Sequence, residues 1–343
     1  MITPIKISFR KINKYHKIVD DNGADVTKLF PLSKLKDKKF WKYNPDYASF
    51  MGGTMPKLFV RCDSRYFAEL FQELKKDDCS YATYVNDLVK SLNGSVDQLP
   101  LSKLSIMLKS VHDDTNGYNN EEICSRIANI FGVPTVYNKA VEIEGSRYIA
   151  SIDYMIKDKV LTDVFEDEEP TRNVYSLLDF KNMVIDERLD SLLKSRKITK
   201  QNYDRLTGEF IENFFFRRYV LSDYDYDVHN IRLLYDKQNN RYEWAPNYDY
   251  EFAYDYPINY FEFTTDLEYA YKIYPNTVKK IFEKYKKILH NDKMYYNLKD
   301  EYGHEAARSY SRYTNNILEQ LIEIYNSILE LDSENYSTKQ QDK

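Results

Sequence analysis

The chain changes character near residue 172, and that switch restricts the folds open to it. Before it, short apolar alternations bounded by turn residues read as strands. They are Ile5, Ile7 and Phe9; Leu58-Phe-Val60 with Tyr66-Phe-Ala68, turning at Cys62-Asp-Ser64; and residues 139–143 and 148–152, joined at Glu144-Gly145. Two helical patterns interrupt them. Across residues 80–115, Tyr84, Leu88, Leu92, Leu101, Leu104, Met107, Leu108 and Val111 recur at threes and fours. Residues 120–131 read as an amphipathic helix, with Asn119 or Asn120 as N-cap and Gly132 and Pro134 closing it. After the switch the pattern is helical. Residues 210–219 are apolar around most of the circumference, as a central buried helix would be, and residues 266–332 read as further helices. A hairpin (231–234 and 242–245) turns at Lys237-Gln-Asn-Asn240 between them. Strands first and helices later predict an α+β chain of two lobes. The β-rich lobe spans 1–155 with a helical insertion, the mainly helical lobe spans 156–332, and 333–343 is a flexible polar tail.

At 343 residues the chain is long enough to bury a proper core in one large or two medium domains. Its 43% hydrophobic and 30% charged residues describe a soluble globular protein and exclude a disordered one. A net charge of -5 argues against a general nucleic-acid-binding surface, so no direct nucleic-acid partner is expected. Cys62, Cys79 and Cys124 form no Cys-x-x-Cys pair and have no His at ligand spacing, which reads as reduced thiols and not a zinc site. No apolar run approaches a membrane span and the N-terminus lacks an apolar h-region. A cytoplasmic protein without membrane attachment is expected; export as an effector stays open.

The chemistry-bearing stretch follows the central helix: Leu221-Ser-Asp-Tyr-Asp-Tyr-Asp-Val-His-Asn230, the apolar run Ile231-Arg-Leu-Leu234, and then Pro246-Asn-Tyr-Asp249. Asp225 and Asn230 stand five residues apart on one loop, and Asp249 lies just past the hairpin. That is the layout of a protein-kinase-type catalytic loop. There one carboxylate accepts the substrate hydroxyl's proton, while an Asn and a second Asp hold Mg²⁺ on the ATP phosphates.

Four segments together resemble the HipA-like bacterial Ser/Thr kinases, including the smaller CtkA-type branch. Gly52-Gly-Thr-Met-Pro-Lys57 with Leu-Phe-Val60 looks like that family's phosphate loop leading into a strand. Asn120-Glu-x-x-Cys-x-x-x-Ala128 with Gly132-Val-Pro134 is similar to its N-lobe helix, residues 225–230 to its catalytic loop, and Ala245-Pro-Asn-Tyr-Asp249 to its Ala-Pro-x-Tyr-Asp. The resemblance implies a two-lobed kinase-like fold and an ATP- and Mg²⁺-dependent Ser/Thr protein kinase of toxin or effector type. Asp225 would be the base, and Asn230 and Asp249 the Mg²⁺ ligands. Gly52, Gly53 and Thr54 would meet the phosphates through backbone N–H groups, and Lys57 through its charge. Ser151, Asp153 and Met155 would belong to the hinge beneath adenine. Such a kinase acts on a protein Ser or Thr, has an antitoxin as partner, and can limit itself by autophosphorylation near the phosphate loop, where Ser49 and Thr54 are the nearest hydroxyls.

The sequence departs from the family pattern at two places. Asp227 and His229 stand where the family has His and Lys. The family's N-lobe strand also carries a Lys about a dozen residues past the loop lysine. Tyr66-Phe-Ala-Glu-Leu-Phe-Gln72 has none, and Glu69 falls near that position. Lys57, ahead of Lys75 and Lys76, is the expected substitute. Glu121 could orient such a cation, although a first-turn Glu also suits the helix dipole. Asp223 and Asp227 read as capping or solvated residues ahead of extra metal ligands, and His229 as a residue that holds the loop. Two other readings stay open: a degenerate pseudokinase acting as a binding module, and a kinase-fold transferase that phosphorylates a small molecule or transfers AMP.

Overall fold

The computed structural model describes residues 5–7, 16–18, 57–62, 104–109, 117–143, 146–152, 159–162, 176–226, 230–237 and 239–341. The chain divides into two compact units, Met1–Asp163 with His229–Phe252, and Val164–Val228 with Ala253–Lys343. The first holds the described strands and one helix, and the second is helical, so the chain is a mixed helix-and-sheet protein.

Six strands of the first unit form one sheet: β1 (Ile5–Ile7), β2 (His16–Ile18), β3 (Lys57–Cys62), β4 (Leu104–Lys109), β5 (Asn138–Ile143) and β6 (Ser146–Ile152). Their order is β1-β5-β6-β4-β3-β2, with β1 parallel to β5 and the other pairs antiparallel. The helix expected across 80–115 is corrected over 104–109, where β4 is a central strand, and the rest of that span lies outside the described residues. Leu104, Ile106 and Leu108 alternate with Ser105, Met107 and Lys109, a period of two that the threes and fours concealed. Backbone pairing with β3 on one side and β6 on the other decides the conformation.

Helix α1 (Gly117–Ile130) begins before Asn119 and Asn120, so neither is its cap. It ends as expected. Gly132 takes φ 60°, its N–H bonds to Asn129 O at 2.9 Å, and Val133 N–H reaches Ala128 O at 2.8 Å. This is a Schellman termination, which favours glycine because a side chain at positive φ is strained.

A second sheet joins β7 (Lys159–Thr162), β8 (Leu233–Asp236) and β9 (Arg241–Trp244), all antiparallel. The hairpin 229–252, expected within the helical lobe, therefore belongs to the first unit. β7, unread in the sequence, supplies the ladder partner that β8's backbone requires.

In the second unit, α2 (Leu177–Phe180) continues through a π-helical stretch, Lys181–Leu189, into α3 (Asp190–Lys194). The central helix α4 (Lys200–Phe215) follows, capped by Thr199 and prolonged by a π-helical turn, Phe216–Val220. Its apolar residues are core as expected: Phe210, Phe214, Phe215, Phe216 and Tyr219 are all buried. Phe214 packs edge-on against Phe180 at 5.3 Å and against Tyr219 at 5.9 Å. Helices α5 (Tyr260–Ile273), α6 (Pro275–Leu289) and α7 (Lys293–Gln341) complete the unit. α7 is kinked at Gly303, where φ is 83°. The polar stretch expected as a flexible tail over 333–343 instead carries the helix on to Gln341, because neither Gly nor Pro follows Gly303 to stop it. Among the described residues, no helix is long and apolar enough to cross a membrane.

Asp266 of α5 is a buried carboxylate within this core. It accepts from Tyr219 Oη at 2.5 Å and from Leu177 N–H at 2.9 Å. Burial pushes its carboxyl up to about 6 against the pull of those two donors. A raised folded-state value means that the proton is bound more tightly in the folded protein. The group's contribution to stability is full below about pH 4 and lost as pH rises through 6. Asp266→Asn should remove that loss, worth at most about 3 kcal/mol. Chemical denaturation at pH 4 and pH 7 checks this: the variant should gain on wild type between the two, and parallel curves would exclude it.

Candidate active site

Lys109 ends β4, and its side chain is only 6% exposed. Its Cα partners are Lys57 on β3 and Ile149 on β6. The ammonium donates to Glu121 Oε1 on α1 at 2.7 Å, to Asp249 Oδ1, and lies 3.3 Å from Glu251 Oε2. Burial disfavours the charge, but Asp249, Glu121 and Glu251 outweigh it and hold Lys109 well above the ordinary lysine range. One ammonium thus meets three carboxylates, with a formal surplus of negative charge.

The carboxylates are fixed from several sides. Asn138 Nδ2 on β5 donates to both Glu121 Oε2 and the Glu121 carbonyl, at 3.1 and 3.2 Å. Ser151 Oγ on β6 donates to Asn138 Oδ1 at 2.5 Å. Next along α1, Glu122 pairs with Lys139 at 2.8 Å and accepts from Ala140 N–H at 2.6 Å. Residues 120–129 of α1 are buried all round, so the polar side of this helix is turned inward and carries the site.

The segment with Asp249 is docked on the turn after α1. Asn247 N–H donates to Pro134 O at 2.8 Å, Val136 N–H to Asn247 O at 2.9 Å, and Thr135 Oγ1 meets Tyr250 Oη at 2.8 Å. Asn120 Nδ2 donates to Glu251 O at 3.1 Å. Asp249 itself takes φ 66°, a left-handed conformation that costs a non-glycine residue energy and is retained where the surroundings impose it.

In the second unit the loop 221–226 presents Asp225, which is exposed, between two anchored tyrosines. Arg217 and Asp223 form an ion pair with both side chains fully buried, and Arg217 also lies 4.8 Å from the Tyr226 ring. Phe180 stacks on the Tyr226 ring at 5.6 Å, and Asn213 Nδ2 donates to Tyr226 Oη at 3.1 Å. Arg218 sits 4.0 Å over the Tyr224 ring and donates to Tyr224 O at 3.2 Å. Asp223 is therefore neither a solvated residue nor a metal-ligand candidate; it is the buried anchor of the loop. Arg217→Met should destabilise the protein by roughly 3–5 kcal/mol, because it leaves Asp223 buried without the guanidinium. A melting temperature unchanged from wild type would contradict this.

The structure places the expected site residues as follows. Asp249 is brought together with Glu121, Lys109 and Glu251, and half-buried Asn230 precedes β8 in the same unit. Asp225 belongs to the second unit. Ser151 is a buried central-strand residue paired with both Met107 and Asn138, and its hydroxyl is given to Asn138. Lys57 opens β3. Ser49, Gly52, Gly53, Thr54, Glu69, Lys75, Lys76, Asp153, Met155, Asp227 and His229 lie outside the described residues.

Three residues of these buried ion-pair clusters escaped the sequence reading: Lys109, Glu251 and Arg217. For Lys109 a signal existed, a lone cation closing the apolar run 104–108 and standing twelve residues before Glu121. Reading that run as helix hid it. The oxygen ligands of Glu121, Asp249 and Glu251 lie within 4.8 Å of one another. All are hard oxygen donors, the type that suits Mg²⁺, and Asp249, far more exposed than the other two, is the one beside which the surplus negative charge favours a cation.

No family model and no curated protein matches the chain. Among solved structures it is similar to the Helicobacter pylori proinflammatory kinase CtkA, with 17% identity over 65% of this chain and 92% of that one, at a TM-score of 0.40.

Proposed function

We propose that the chain is an ATP- and Mg²⁺-dependent phosphotransferase of the HipA-like kind, acting on a Ser or Thr hydroxyl of a protein. One observation carries the reading: a buried strand lysine, Lys109, joined to a helix carboxylate, Glu121, and to Asp249. Phosphoryl transfer of the protein-kinase type requires such a strand lysine paired with a helix glutamate, together with an aspartate for the metal. Lys109 supports an active kinase over a degenerate one, because it offers the cation otherwise sought at Lys57, Lys75 or Lys76.

In this reading Lys109 offers its ammonium to the phosphates, held in place by Glu121. Asp249 and Asn230 would hold Mg²⁺. When bound, the ion supplies neutralisation of the charge that develops on the phosphoryl oxygens. Asp225, exposed on a loop that buried side chains fix, accepts the proton of the attacking hydroxyl. The resemblance of the sequence to toxin-type kinases supports a protein acceptor and an antitoxin partner.

Titration with Mg²⁺-ATP tests the reading. A ligand at 100 times its Kd stabilises the folded state by about 2.7 kcal/mol, which a thermal shift reads. Radiolabel from γ-labelled ATP should then appear on a Ser or Thr of the chain itself or of an added protein. Absence of any shift with nucleotide, with or without Mg²⁺, would overturn the proposal.

A further inference from the structure

Resting on the phosphotransferase reading, we infer that Glu251 is a positioning residue that keeps Lys109 aimed at the nucleotide phosphates when Asp249 turns to the metal. A lysine ammonium has three donors. Here three carboxylates surround it: Glu121, Asp249 and, at 3.3 Å, Glu251. Asp249 cannot serve Lys109 and Mg²⁺ equally, because the stronger charge of the divalent ion competes for the same oxygens. When Asp249 leaves, the ammonium keeps Glu121 on one side and Glu251 on the other.

Glu251 suits that task by where it stands. Its side chain is 3% exposed, so its orientation is set by packing, and a buried carboxylate is tolerated only with compensating partners. Its carbonyl is held by Asn120 Nδ2, from the residue next to Glu121 on α1. The two carboxylates that flank Lys109 are thereby tied to one helix, Glu121 as part of it and Glu251, two residues beyond Asp249, through Asn120. Glu251 touches neither phosphate nor metal in this reading; it acts through Lys109.

The test compares wild type, Glu251→Gln and Glu251→Asp as whole chains, by the thermal shift and Kd for ATP, ADP, AMP and adenosine with Mg²⁺. Glu251→Gln should weaken ATP and ADP by ~10–100-fold, the range found when a partner that orients a ligand-contacting group is lost. Adenosine should bind as to wild type, AMP, which keeps only the α-phosphate, should lose less than ATP and ADP, and Glu251→Asp should recover part of the loss. A purely structural role would weaken all four ligands alike, or lower only the melting temperature, and either result overturns the inference. So does wild-type ATP binding in Glu251→Gln. If wild type itself binds none of the four, the phosphotransferase reading fails first and the inference falls with it.

Discussion

Asp225→Ala is expected to lower phosphoryl transfer by ~10²–10⁴-fold, the usual cost of losing a positioned general base, while leaving the Mg²⁺-ATP thermal shift of wild type in place. The separation follows from the loop's construction. Its described anchors are Asp223 with Arg217, Tyr226 with Arg217 and Phe180, and Tyr224 with Arg218. The Asp225 carboxylate is exposed, and truncating an exposed side chain away from such anchors usually changes stability by no more than about 0.5 kcal/mol. Single-turnover transfer from labelled ATP, run beside the thermal shift, measures both. Turnover like that of wild type would remove Asp225 from the chemistry. Loss of both turnover and nucleotide binding would make it a structural residue of the loop.

Sequence reading succeeded where local signals agreed with tertiary demand. The α1 termination at Gly132, the β5–β6 hairpin, the hairpin of β8 and β9, and the burial of residues 210–219 were all legible, because each carries its own turn glycine, alternation or apolar circumference. Failures arose where a distant partner decides the structure. β4 satisfies a helical spacing as well as a strand alternation, and only pairing with β3 and β6 chooses between them. β7 is four residues long and takes its meaning from β8, about seventy residues later. Within the cluster, Asp249 was singled out from its spacing, whereas its partners Lys109 and Glu251 were not. A lone Lys or Glu in sequence is most often a solvated side chain, and nothing local marks these two as buried partners. The lysine was sought by its distance from the glycine loop, whereas the buried lysine that pairs with Glu121 stands on β4.

Lys109→Met is the most severe single change that this site should register. It deletes the ammonium from a pocket of three carboxylates, and breaking a buried ion pair from one side typically costs roughly 3–5 kcal/mol. The remaining carboxylates then disfavour one another's charge, so their proton affinities rise in the folded state. A raised folded-state value gives stability that is present at low pH and lost as pH increases, and the variant should therefore be closest to wild type in acid and furthest from it above neutrality. Mg²⁺ alone should stabilise Lys109→Met more than wild type, because the ion restores positive charge beside Asp249. Mg²⁺-ATP binding should still fall, since the ion cannot replace the contact made from the strand. Lys109→Arg is not expected to rescue, as a planar fork does not fit where a compact ammonium meets three oxygens. Lys57→Ala, by contrast, leaves the pairing of Lys109 with Glu121 intact and should have the smaller effect on nucleotide affinity. Melting curves from pH 5 to pH 8, with and without Mg²⁺, together with an ATP titration, read all of these. A Lys109→Met protein with wild-type stability and a wild-type Mg²⁺-ATP shift would remove the lysine from both the fold and the chemistry.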